Sequence, residues 1–67
     1  VTTVGRLIWE RRLERCRSDL SDPACQHQSI TAIAYRWGYS DSQHFSRSFK
    51  TRYNVSPRTY RQIHRAN

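Results

Sequence analysis

The sequence predicts an all-α chain of four helices, and three observations carry that prediction. Apolar side chains recur at helical spacing, Trp9, Leu13, Cys16 and Leu20 in one run and Ile30, Ile33, Ala34 and Trp37 in a second. Start and stop signals bracket those runs: Ser29, Ser40 and Ser56 are suited to N-caps, while Ser21-Asp22-Pro23, Gly38 and Asn54 interrupt the chain. Just beyond Gly38, Phe45 and Phe49 stand one helical turn apart and give a third segment its apolar stripe.

Val1 to Thr3 read as an entry segment, with Thr2 or Thr3 capping a first helix that runs from Val4 to about Leu20. Arg6, Glu10, Arg11, Glu14, Arg15 and Arg17 fill its polar side, and Arg6–Glu10 and Glu14–Arg17 stand at pairing distance. Gly5 weakens the first turn. This face reads as a solvated, salt-bridged surface over a core stripe; the sharper alternative is that Arg11 or Arg15 reaches a phosphate. Ser18 to Gln28 is loop-like, and residues 21–28 are expected to form a polar surface connection.

Ser29 then caps a helix from Ile30 to Trp37, which Gly38 ends because the chain must reverse there through a positive φ. Tyr39 is expected to pack beneath that turn. Ser40, with Gln43 three residues on, makes a capping-box pattern for the next helix, Asp41 to about Tyr53. Asn54 is able to take the left-handed conformation that closes it. Ser56 as N-cap, Pro57 at N1 and a Val55–Tyr60 staple start a last helix to about His64. Tyr60 and Ile63 are expected inward, and Arg58, Arg61 and Arg65 outward.

Residues 33–50 thus read as a helix, a tight turn and a better-defined helix, the helix-turn-helix in which the second helix enters the major groove of DNA. The first aromatic comes one residue late for the usual spacing, which implies a longer turn. Opposite Phe45 and Phe49, the second helix carries Ser42, Gln43, Ser46, Arg47 and Lys50, with His44 on its flank. These side chains are of the kinds that read base edges and hold phosphates. No carboxylate follows Asp41, whereas a merely solvated face normally mixes its signs.

Composition points the same way. Net charge is +7, from 12 Lys and Arg against 5 Asp and Glu, and every one of those cations except Lys50 is arginine. The arginine fork suits phosphate and guanine better than lysine's point charge. The excess favours a nucleic-acid partner over an anionic membrane surface. Neither a membrane span nor a signal-peptide core is present in the 67 residues, so a cytoplasmic protein is expected. Cys16 and Cys25 make no disulfide framework, and with His27 they match no zinc spacing. They read as reduced, ordinary thiols; no metal and no cofactor is expected.

Those residues together resemble the AraC/XylS family of bacterial transcription regulators. The matching words are Arg12-Leu13-Glu14-Arg15-Cys16, Ser29-Ile30-Thr31-Ala32-Ile33-Ala34, Trp37 through Lys50, and Val55-Ser56-Pro57-Arg58-Thr59-Tyr60-Arg61, in the family's order and spacing. The resemblance implies a homeodomain-like helix-turn-helix three-helix unit preceded by a long linker helix. Residues 1–20 would be the linker helix and 29–67 the second helix-turn-helix unit with its closing helix. The family's first unit and the regulatory domain of many members would lie elsewhere in the same protein. The longer turn is a family habit; Asn54 stands where glycine is usual.

Carried across residue by residue, the family's contacts with double-stranded DNA fall on Ser42, Gln43, His44, Ser46 and Arg47, with Lys50 on the backbone. For Arg47 the plainer reading is a solvated side chain or an ion pair with Asp41 or the first helix. For Gln43 it is capping alone, and for His44 a packing or surface role. RNA polymerase is a further partner that the resemblance suggests. An enzyme is disfavoured, because the three histidines lack a Ser or Cys partner at a recognisable spacing and the carboxylates are not paired. The rival reading is a helical protein-interaction module whose basic surface binds nucleic acid non-specifically. RNA recognition would need aromatics exposed for stacking, and most here sit at core spacing.

Overall fold

Caps place the helices. In a computed structural model, which describes residues 3–64, they are α1 (Val4–Leu20), α2 (Ile30–Arg36), α3 (Ser42–Tyr53) and α4 (Pro57–Ile63), with a 3₁₀ turn at Pro23–Cys25. Thr3 Oγ1 accepts from the Arg6 amide at 3.1 Å, Ser29 Oγ from Ala32 at 3.0 Å and Ser56 Oγ from Thr59 at 3.1 Å. Each satisfies a donor that the first turn of a helix leaves free. Thr2 and the expected outward Arg65 lie outside the described residues.

One cap differs from the sequence reading. Asp41, not Ser40, starts α3, its Oδ1 accepting from the Gln43 amide at 2.8 Å. The turn is one residue longer, and an ionised carboxylate is the stronger partner for the positive end of a helix. The Ser40–Gln43 capping box therefore falls out of register, and Gln43 is an exposed second-position residue.

The α2–α3 turn explains its glycine. Tyr39 N donates to Ala34 O at 3.1 Å and Gly38 N to Tyr35 O at 3.1 Å, the paired bonds of a Schellman motif. That motif needs a left-handed residue, and Gly38 has φ +101°. A Cβ built there would stand 2.6 Å from Arg12 Nη1, the far end of a side chain that can swing aside. The cost of Gly38→Ala is therefore mainly backbone strain, about 1–2 kcal/mol, read as a lowered midpoint of denaturant unfolding. An unchanged midpoint would show that the turn relaxes out of the left-handed region. Asn54, at φ 66°, ends α3 as expected.

Leu13, Cys16 and Leu20 of α1, Cys25, Ile33 and Ala34 of α2, Tyr39, and Phe45 and Phe49 of α3 form one buried core. Ile30, Trp37, Tyr53, Val55 and Tyr60 pack around it. The three shorter-spaced helices α2, α3 and α4 make the homeodomain-like unit, and α1 crosses against α2 and α4. Asp19 clamps that crossing, accepting from Trp37 Nε1 at 2.8 Å and pairing with Arg36 at 3.1 Å. Arg6–Glu10 forms as expected at 3.4 Å, whereas Glu14–Arg17 is not among the ion pairs of the described residues.

Three expectations are corrected. Residues 21–28 are not wholly a surface connection: Asp22 caps the 3₁₀ turn and Cys25 reaches the core. Ile63 is 64% exposed, and Arg61 instead turns inward, donating from Nη2 to the Cys25 carbonyl at 2.7 Å. With Pro57 and Tyr60 setting the phase of a seven-residue helix, position 61 falls nearer the core than position 63. Trp9 leaves the core stripe at 41% exposure, its ring 4.9 Å from Tyr39 and beneath the Arg12 guanidinium at 4.6 Å.

Candidate nucleic-acid interface

The buried pair Phe45 and Phe49 fixes the rotation of α3, since both are fully inaccessible. At about 100° per residue the opposite crest then falls on Gln43, Arg47 and Thr51, with His44 and Lys50 beside it. All five are exposed. Gln43 and Arg47 are one turn apart, about 6 Å along the axis. Ser42 and Ser46 are half-buried and lie nearer the core than the sequence reading implies. The six expected residues thus divide: Gln43, Arg47 and Lys50 point outward, His44 lies on one flank, and Ser42 and Ser46 lie on the other.

His44 is not a free crest residue. Its ring meets Tyr39 edge-on at 5.9 Å, and it borders a cleft of about 250 Å³ shared with Trp9, Glu10, Tyr39 and Ser48. Tyr39 in turn packs on Phe45 at 5.2 Å, so His44 is the outer end of an aromatic chain leading into the core. Burial pushes the Tyr39 phenol up to about 12, keeping it neutral at ordinary pH.

The charge on this side is one-signed. Among the described residues the ion pairs are Arg6–Glu10 and Arg36–Asp19, so Arg47, Lys50 and Arg52 of α3 have no carboxylate partner. The ion pairs considered for Arg47, with Asp41 or α1, do not form. Asp41, the nearest acid in sequence, spends its carboxylate on the helix start. α4 adds Arg58. Such a face suits a polyanion.

Sequence reasoning missed a further part of the surface. Arg6 and Glu10 of α1 face Arg47, Ser48, Thr51 and Arg52 of α3 across a cleft of about 470 Å³. Thr51 was readable from its spacing to Arg47; Arg6 was not, because only the crossing of α1 brings it there. Arg11 and Arg15, the α1 arginines considered for phosphate, border a separate depression with Glu14, Arg17 and Ser18.

The remaining polar cluster does not make a metal centre. Donor atoms of Asp19, Asp22 and Cys25 lie within 4.8 Å of one another, but Asp19 already serves Trp37 and Arg36, and Asp22 caps the 3₁₀ turn. Cys16 lies fully buried elsewhere in the core, where burial and the nearby Asp19 push its thiol up to about 12. It behaves as a small apolar residue.

A family model described as a helix-turn-helix domain matches residues 2–63. The chain belongs to the AraC/XylS-type helix-turn-helix family. Similar members include the HTH-type transcriptional activators RhaS of Escherichia coli strains SE11 and SMS-3-5, each 46% identical over 55 residues. That alignment covers 79% of this chain and 20% of each relative, so the chain spans about a fifth of the length of the curated relatives it matches. No solved structure matches the fold closely enough to compare. Membership agrees with the helix-turn-helix built by α2 and α3. No helix among the described residues is long and apolar enough to cross a membrane.

Proposed function

We propose that this domain binds double-stranded DNA sequence-specifically, with α3 in the major groove, as part of an AraC-type regulator acting in the cytoplasm. The observation that carries the reading is the two-sidedness of α3. Phe45 and Phe49 lock it to the core, and the opposite side presents Gln43 and Arg47 on the crest with Lys50 beside it and no acid among them. Arg47 forks onto a guanine edge and Gln43, released from capping, pairs with an adjacent base. Lys50 holds a phosphate. Ser42 and Ser46 reach the backbone or a base edge from the flank, and His44 steadies the helix against Tyr39 while bordering the groove.

In the whole protein α1 serves as the linker helix and residues 29–67 as the second helix-turn-helix unit, alongside a first unit and a regulatory domain. The relatives are named activators, which supports RNA polymerase as a second partner. The rival, a protein-interaction module with non-specific nucleic-acid binding, is favoured by the exposed Val4, Leu7 and Ile8 on the outer side of α1.

Salt separates the two classes of partner. For the full-length protein, log K for duplex DNA should fall linearly with log salt, with a slope near −0.9 for each phosphate held. A flat plot would remove DNA as the partner. A steep plot with equal affinity for every sequence would favour the rival.

A further inference from the structure

The cleft between α1 and α3 has a composition that the α3 crest does not explain. Three arginines, Arg6, Arg47 and Arg52, line it together with Ser48 and Thr51, against a single acid, Glu10. That carboxylate is held by Arg6 at 3.4 Å, and the Arg6 side chain is still 72% exposed. Arg52 has no carboxylate partner among the described residues, and its guanidinium stands 6.0 Å from the Tyr53 ring, at the outer limit of a cation–π contact. The buried Leu13 forms the floor, so an anion entering the cleft sits on a low-dielectric base where charge pairing strengthens.

The position matters as much as the charge. Arg47 belongs both to the crest of α3 and to this cleft, so the cleft opens along the flank of the helix that faces α1. A helix about 10–12 Å across nearly fills a major groove about 12 Å wide, which brings its flanks against the sugar-phosphate walls. An anion met on this flank is therefore a phosphodiester. An arginine fork and a hydroxyl donor match its oxygens.

We propose that Arg6 and Arg52, with the Thr51 hydroxyl, seat one backbone phosphate of the bound DNA, making α1 a direct contributor to the interface. The inference rests on the placement of α3 in the major groove. Arg6 is supplied from α1, 46 positions before Arg52 in the chain, so the seat exists only once folding sets the two helices on either side of one cleft. It fixes the depth and rotation of α3 without reading sequence.

The test uses the full-length protein, a duplex bearing its selected site and a scrambled duplex, over a salt series. The double variant Arg6→Gln/Arg52→Gln changes exposed residues only, and an unchanged thermal unfolding curve confirms its fold. The expected result is a salt slope shallower by about 0.9, one phosphate, on both duplexes alike, with the selected motif intact. Neutral methylphosphonate placed singly along the flanking strand should reproduce that loss at one position in the wild type and have no effect there in the double variant. A double variant that keeps the wild-type slope overturns the phosphate seat while leaving the groove reading in place. A wild-type protein that does not bind duplex DNA overturns the groove reading, and the seat with it.

Discussion

Phe49→Ala should destabilise the domain by about 3–5 kcal/mol, the cost of emptying a fully buried aromatic site. Phe49 is 0% exposed and holds three rings at once: Tyr53 at 4.7 Å, Tyr60 at 5.6 Å and Phe45 at 5.8 Å. Losing it removes an aromatic contact between α3 and α4 as well as the volume itself. Small domains have about 5–15 kcal/mol in total, so the variant would be largely unfolded under mild denaturant. Phe49→Leu, which keeps most of the volume, should cost about 1.5 kcal/mol or less and supply a folded variant for comparison. Chemical denaturation followed by tryptophan fluorescence reads both. A Phe49→Ala midpoint equal to that of the wild type would mean that α3 is rotated and that its crest is not the one described.

The second large effect is on DNA. Arg47→Ala should lose about 1–3 kcal/mol on the preferred site, because a bidentate contact to guanine is worth that much in discrimination. Arg47 has no ion-pair partner to hold it back among the described residues, and it stands one turn from Gln43. Lys50→Ala provides the contrast. Set off the crest and with a single point charge, Lys50 should weaken all sequences about equally and lower the salt slope by about 0.9. Both residues are exposed, so neither change should alter unfolding.

What the sequence made legible was local. Ser29 and Ser56 cap through bonds that reach only three residues ahead, and Gly38 and Asn54 mark chain reversals that few residues tolerate. The phase of α3 was readable because two phenylalanines at a spacing of four determine a helix face wherever it packs. Errors arose where two local signals competed or where a distant segment decided. Ser40 and Asp41 are both good caps, and the longer turn, together with the stronger acceptor, selected Asp41. Arg61 looked like solvent-facing charge until the Cys25 carbonyl, 36 positions away, supplied its partner. Cys25 itself sits in a polar stretch whose burial no periodicity announces. At the candidate site, the outward direction of Gln43, Arg47 and Lys50 followed from helical spacing alone. The half-burial of Ser42 and Ser46, the Tyr39 contact of His44, and the approach of Arg6 to Arg52 are all tertiary facts.

The claim at the centre is that the outer crest of α3 reads base edges. Selection of bound sequences from a random duplex pool, run in parallel with the full-length wild type and its Arg47→Ala variant, tests it most directly. The wild type should enrich a motif, and the variant should enrich the same motif with preference flattened at one position that the wild type holds as guanine. If the variant returned the wild-type motif at full strength in every position, Arg47 would be a backbone contact and the crest of α3 would not be the reading surface.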